Sequence, residues 1–383
     1  MKNTAYFDNA ATTFPKPEEV YRFMDQFYRT SGVNIGRGNY GPINQAALLQ
    51  EETRNLLLKL FHCNGKNVIF EPSATIALNQ VIRGIKWHDG DIVYISPFEH
   101  NSVLRPLYYL RDKFNLKIIE LCVNKENITY DLEKIKYQFQ ENKPNVVIVS
   151  HASNVCGVIA PIADIFYLSK RYKAINIVDM SQTAGLIDTN LIDSFADFAI
   201  FAGHKTLYGP FGISGFVLLN DIELEPLIYG GTGLESANPF MPEQIPIRFE
   251  AGSQNILSIA GLNASLKWIF KIGIKNIFDK EQEYANRIKL ILGKCNKLRI
   301  ISSKGISTGI TSFIINGYSS DSLAPFFDSN GIFCRTGLQC SPLAHKFLGT
   351  FPNGTIRLSC SYFNSETDFI VLEEVIDKLQ EEL

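Results

Sequence analysis

Phe201-Ala202-Gly203-His204-Lys205-Thr206-Leu207-Tyr208-Gly209-Pro210 sets a lysine between an apolar, strand-like run (Phe198 to Phe201) and a Tyr-Gly-Pro turn. An ammonium at the end of a buried strand is costly, and burial lowers its pKa. A lysine with a lowered pKa is what Schiff-base chemistry uses. Upstream lies Ile177-Val178-Asp179-Met180-Ser181-Gln182, a second apolar strand that ends in an aspartate. Taken singly, Lys205 reads equally well as a turn residue and Asp179 as a helix N-cap. Taken in order, strand-Asp then strand-Gly-His-Lys puts a carboxylate and an amine at the ends of two successive apolar strands. That pair is the minimal protein equipment for pyridoxal phosphate (PLP): a lysine for its aldehyde and an acid for its pyridine nitrogen.

Working outward, strand and helix patterns alternate from about residue 45 to residue 220. Strands are expected at Val68 to Phe70, Asp91 to Ile95, Leu116 to Leu121, Val146 to Ser150, Ile175 to Val178, Phe198 to Phe201 and Ser214 to Leu219. Helices are expected from Ala74 to Ile85, through Tyr108, and from Asp131 to Phe139. This alternation predicts an α/β fold with a mostly parallel central sheet covered on both faces. Ligands of such sheets gather at the carboxyl ends of the strands. Ser73, His100, His151, Asp179 and Lys205 all fall at or just after such ends. From about Gln254 the texture changes to long helices (Ile256 to Phe270, Ile274 to Leu292), a helix at Ser320 to Ser329 and scattered short strands. A last amphipathic helix runs from Glu366 to Leu379. A smaller α+β domain fits this pattern. The expected division is a large α/β domain over 14–253, with 1–13 and 254–383 forming the small domain.

The 383 residues suit two closely packed domains, and the net charge of -2 with no Lys/Arg-rich run argues against a nucleic-acid partner. No apolar stretch reaches bilayer-spanning length and the N-terminus lacks a signal-peptide core, so no membrane association and a cytoplasmic location are expected. The seven cysteines are odd in number and contain no CxxC pair, which argues against a disulfide framework or a structural zinc site. Most are expected to be small buried hydrophobes.

Several blocks resemble the class V aminotransferase group of PLP enzymes, and within it the cysteine desulfurases and selenocysteine lyases. They are Tyr6 to Thr13, Ser73 to Asn79, Glu99 to Ser102, Ser153 to Gly157, Asp179 to Gln182, Gly203 to Lys205, Arg248 to Ser253 and Arg335 to Pro342. The resemblance covers essentially the whole chain and implies the aspartate aminotransferase-like fold of PLP-dependent transferases (fold type I). It implies that Lys205 carries PLP and that Ala74 and Thr75, at a helix N-terminus suited to an anion, cup its phosphate. His204 adds a donor beside the lysine, and Ser253 reaches the phosphate from the second subunit of a homodimer. His100 is expected to stack on the ring and handle protons, Asp179 to face the pyridine nitrogen, and Asn154 and Gln182 to meet the phenolic oxygen. Ala202 stands where the group usually has a hydroxyl. That departure keeps open a non-enzymatic reading, a sulfur-trafficking subunit with a degenerate site.

Arg357, inside the apolar run Thr355-Ile356-Arg357-Leu358-Ser359, calls for an anion. The resemblance makes that anion the substrate carboxylate, assisted by Asn34; an internal ion pair is the structural alternative. Arg335 belongs to the stretch Arg335-Thr336-Gly337-Leu338-Gln339-Cys340-Ser341-Pro342, whose Gly and Pro mark a loop. In the desulfurases the cysteine of this loop attacks the substrate sulfur and keeps it as a persulfide, which makes Cys340 the expected nucleophile. Leu338 and Gln339 replace histidines common there. The resemblance thus implies conversion of L-cysteine to L-alanine, with the sulfur passed to an acceptor protein or small thiol. Selenocysteine lyase, another PLP-dependent β-elimination and transamination are the alternatives.

Overall fold

The computed structural model describes residues 4–35, 40–233 and 237–382. Its strands, in chain order, are β1 (Ala5–Tyr6), β2 (Asn67–Glu71), β3 (Ile92–Ile95), β4 (Lys117–Glu120), β5 (Val123–Asn124), β6 (Thr129–Tyr130), β7 (Val146–Ser150), β8 (Ile175–Asp179), β9 (Phe198–Ala202), β10 (Ser214–Leu218), β11 (Leu298–Ile301), β12 (Ile310–Ile315), β13 (Ile332–Phe333) and β14 (Ile356–Ser359). Its α-helices are α1 (Glu18–Ser31), α2 (Gly41–Leu60), α3 (Ala74–Gly84), α4 (Asn101–Phe114), α5 (Leu132–Glu141), α6 (Ile162–Lys170), α7 (Ile256–Ile272), α8 (Ile274–Leu292), α9 (Ser320–Ser329), α10 (Pro342–Leu348) and α11 (Glu366–Glu382).

Seven strands form the central sheet in the order β2-β10-β9-β8-β7-β3-β4. Only β10 runs against its neighbours. β7 and β9 are buried along their whole length, and β8 along all but its first residue. This is why their sequences are continuous apolar runs: a sheet covered on both faces has no solvent side to mark by alternation. Asp179 closes β8 as the only charge in that strand. β3 leads outward to β4 on one side, and β7, β8 and β9 follow on the other. The carboxyl ends of β3, β7, β8 and β9 therefore border one crevice.

A second core lies around β11-β12-β14 and the α8, α9 and α11 helices. Ala5 and Phe7 belong to it, because β1 pairs with β13. The α7 helix is apolar nearly all round; it packs on α1 and α2 and joins the core of the central sheet.

The expected strands and helices recur with ends displaced by a few residues, apart from α4. That helix runs on to Phe114, where Asn115 turns into the left-handed region (φ 49°) and its N–H closes on Arg111 O. The sequence reading omitted α1, α2, α6 and α10. Prolines border α1 and start α2 and α10, and only Val20 and Ser31 of α1 are buried. No helix among the described residues is long and apolar enough to cross a membrane.

Candidate active site

At the carboxyl ends of the strands lies a cavity of about 150 Å³. Ala74, Thr75, His100, Asn154, Asp179, Gln182, His204 and Lys205 line it, together with Ser73 and Ala202. Three elements bring charge to it. Ser73 caps α3 by accepting from Ile76 N (3.3 Å), which presents the first-turn N–H groups of Ala74 and Thr75 that a helix leaves unpaired. Asp179 Oδ1 accepts from Ser181 N (2.9 Å) and Ser181 Oγ (2.5 Å), which fixes the carboxylate. Lys205 stands three residues beyond β9, reached through Gly203. A Cβ there would lie 2.3 Å from Ile213 O, so no larger residue fits. Burial lowers the Lys205 pKa; Asp179 opposes that fall, and the charge of Arg357 adds to it.

His100 N-caps α4: its Nδ1 accepts from Ser102 N at 3.1 Å, so the ring proton resides on Nε2. Burial and the nearby Lys205 charge push its pKa down to about 4, leaving a neutral ring. The His204 ring stacks on Phe211 at 4.7 Å, and burial pushes its pKa down to about 3. Beneath the cavity, fully buried Glu99 accepts from Ser96 Oγ (2.5 Å), Ser150 N (2.6 Å) and Ser150 Oγ (2.7 Å). Burial raises its pKa to about 7 against the pull of those bonds.

Arg357, on β14, is buried. Its Nη2 donates to Asp8 Oδ1 and its Nη1 to Asn154 O, each at 2.9 Å. Half-exposed Arg335 donates from Nη2 to the other oxygen of Asp8, Oδ2, at 2.7 Å. Two guanidiniums thus share one carboxylate, leaving one positive charge unbalanced in the cluster. Arg357 Nε is buried without a hydrogen-bond partner among the described residues.

Cys340 is the one exposed cysteine of the seven, on the loop leading into α10. Gln339 and Cys340 both sit in the left-handed region (φ 40° and 58°). The loop is supported from below by Gly354, where a Cβ would lie 2.2 Å from Gly337 O. Cys156 and Cys360 are buried, their thiols pushed up by desolvation, and neither lines the cavity.

The Aminotransferase class-V family model matches residues 5–372. This chain belongs to the class V aminotransferase family. Among relatives of this class V chain, a protein named probable cysteine desulfurase from Pyrococcus abyssi (strain GE5 / Orsay) is 32% identical over 390 residues, spanning 98% of this chain and 95% of its own length. Another of that name, from Methanothermobacter thermautotrophicus, is 28% identical over 386 residues, spanning 99% and 95%. The apo structure of a cysteine desulfurase from Thermococcus onnurineus NA1 matches with a TM-score of 0.91 at 29% identity, covering 99% of this chain and 95% of that one.

Within this class V fold, eight of the thirteen candidate cofactor, substrate and catalytic residues named from sequence border the cavity. The others lie elsewhere. Ser253 lines a separate depression with Phe70, Glu71 and Glu250, and Asn34 is exposed and does not line the cavity. His151, also at a strand end, is buried against Thr183 Oγ1 (2.9 Å) and does not line the cavity. Gln182 Nε2 donates to Ala10 O at 2.9 Å, and the Asn154 amide is held by the cysteine loop. Sequence reasoning gave no role to Asp8, although a buried arginine called for such an anion. It also overlooked Lys16, whose amine donates to His204 O at 2.6 Å and is pushed down to about 7 by burial. The signal was a lysine fixed between two prolines, Pro15 and Pro17.

Proposed function

We propose that the protein is a PLP-dependent cysteine desulfurase that converts L-cysteine to L-alanine and retains the sulfur on Cys340. The observation that carries this reading is the exposed Cys340 on a braced loop whose flanking residues, Gln339 and Ser341, are hydrogen-bonded to the cavity residue Asn154. The names of the relatives point the same way.

The donor set of the cavity fits PLP. The α3 N-terminus, with Ala74 and Thr75, offers N–H groups to a phosphate. His204 lies beside them, Asp179 offers a fixed carboxylate to the pyridine nitrogen, and Lys205 offers an amine of lowered pKa. When bound, PLP supplies an electron sink for the substrate Cα. The chain supplies the rest. Arg357, whose Nε has no partner among the described residues, and Arg335 hold the carboxylate of L-cysteine. Exposed Asn34 is an outlying candidate for the same carboxylate. With PLP in place, Lys205 Nζ would take the Cα proton, and His100, which also lines the cavity, would offer the cofactor a flat neutral face. The Cys340 thiolate attacks the substrate sulfur. An S–S bond forms, the C–S bond breaks, and its electron pair stays with carbon, which is protonated to give alanine. The persulfide sulfur then passes to an acceptor protein or small thiol.

The assembly we propose is a homodimer in which Ser253 serves the other subunit's cavity. Support comes from the outward-facing depression around Ser253 and from exposed Ile228, Tyr229 and Phe240 in the segment preceding it. A cytoplasmic setting accords with a nucleophilic thiol kept reduced.

The test is alanine release from L-cysteine by the purified holoenzyme beside Cys340→Ala. Release by the wild type alone supports the reading. Equal release by both would remove Cys340 from the mechanism and turn the reading toward a lyase.

A further inference from the structure

Asn154 lies beyond the end of β7 and lines the cavity, yet both ends of its amide are bonded to the segment that carries Cys340. Its Nδ2 donates to Gln339 O at 2.7 Å, and Ser341 Oγ donates to its Oδ1 at 2.7 Å. These partners are the residues on either side of the cysteine. The amide orientation follows from them: a flipped Asn154 would set its oxygen against the Gln339 carbonyl. The backbone carbonyl of Asn154 accepts from Arg357 Nη1. One residue therefore touches the cavity, the carboxylate-binding arginine and both flanks of the thiol.

Two further features point the same way. Ser341 stands at the N-cap of α10, where a serine hydroxyl ordinarily caps its own helix, but it makes no such bond. Its hydroxyl is turned to Asn154 instead. On the far side of the loop, the buried Gln339 side chain is pinned by two residues. Its Nε2 donates to Thr355 O (2.9 Å), and its Oε1 faces His345 Nε2 (2.9 Å) and accepts from Thr355 Oγ1 (3.2 Å). The Cys340 carbonyl itself accepts from Asn101 N at 2.7 Å. Left-handed conformations at two successive non-glycine residues persist only where the surroundings hold them.

We propose that Asn154 is a positioning residue for the Cys340 thiol, clamping residues 339 and 341 so that the sulfur stays in reach of the substrate. This rests on the desulfurase reading. The clamp acts through effective concentration: a misplacement of about 1 Å costs on the order of 100-fold in such an attack. It is separate from any contact of Asn154 with the cofactor ring, for which the amide keeps a second N–H.

Ser341 separates the two roles, because it belongs to the clamp and does not line the cavity. In the holoenzyme, Ser341→Ala is expected to lower kcat for alanine release from L-cysteine about ten-fold, with KM changed less than about two-fold. The cofactor absorption band should stay in place, and deuterium exchange should rise in residues 335–345 alone. Asn154→Ala should lower kcat at least as far. A Ser341→Ala enzyme with wild-type kcat overturns the proposal, as does one whose loss of activity is explained by a shifted band. If the wild type releases no alanine from L-cysteine, the desulfurase reading has failed on its own account. The exchange measurement then decides the clamp: raised exchange in 335–345 supports it, and unchanged exchange overturns it.

Discussion

Asp8 carries more of the site than its surroundings in the sequence announce. A carboxylate shared by Arg335 and Arg357 lets a buried guanidinium keep its charge and leaves the cluster one positive charge in excess, the charge proposed above to meet the substrate carboxylate. Removing one partner of a buried pair leaves the other uncompensated, at a cost of about 3–5 kcal/mol. Asp8→Ala is therefore expected to lose stability of that order in urea denaturation and to raise KM for L-cysteine more than it lowers kcat. A loss below about 1 kcal/mol would mean that the contact with Arg335, on a half-exposed side chain, is all that Asp8 supplies. Lys205 and Asp179 were legible because each is a charge ending an apolar run, and that contrast is local. Asp8 also ends an apolar run, Ala5-Tyr6-Phe7, but its partner Arg357 lies 349 residues away, and only the fold joins them.

Among the elements, β7, β8 and β9 were read from their apolar continuity, since burial on both faces writes itself directly into composition. The α8 helix was located to its ends, but one of its residues was not understood. Glu281 lies in the charged run Lys280-Glu281-Gln282-Glu283 and was given no role from sequence. It is in fact buried, accepting from Tyr208 Oη at 3.0 Å across 73 residues of chain. Burial raises its pKa to about 8 from an ordinary 4.5. The folded state thus holds a proton that the unfolded chain gives up first. Its contribution to stability is fully present below pH 4.5 and is lost as pH rises toward about 8. Glu281→Gln, which cannot ionise, is expected to flatten the decline in denaturation midpoint between pH 5 and pH 8, roughly the interval separating the two pKa values. An unchanged slope would assign the decline to other buried carboxyls, of which Glu71, also raised to about 8, is the next candidate.

At the scale of the whole molecule, the N-terminal strand β1 is built into the core formed by the chain's last third. Phe7 is fully buried there, its ring edge-on to Phe369 at 5.8 Å. Truncating such a ring costs about 3–5 kcal/mol. Phe7→Ala is expected to show that loss in guanidinium unfolding, with the cofactor cavity of the central sheet retaining its ligand longer than the second core survives. Simultaneous loss would mean that the two cores unfold as one unit. The division of the chain proposed from sequence, with 1–13 joined to 254–383, is what this experiment examines. The union of Asp8 with Arg357 also has a consequence for synthesis. A growing chain makes Ala74, Asp179 and Lys205 well before Arg335, Cys340 and Arg357, and domains tend to fold in the order of their synthesis. On the proposed reading, the residues assigned to the cofactor are thus made before those assigned to the amino acid and to sulfur transfer. If those assignments hold, an incomplete translation product could take up cofactor without liberating sulfur, and reactive sulfur would be drawn from cysteine only once the strand that completes the site has been made.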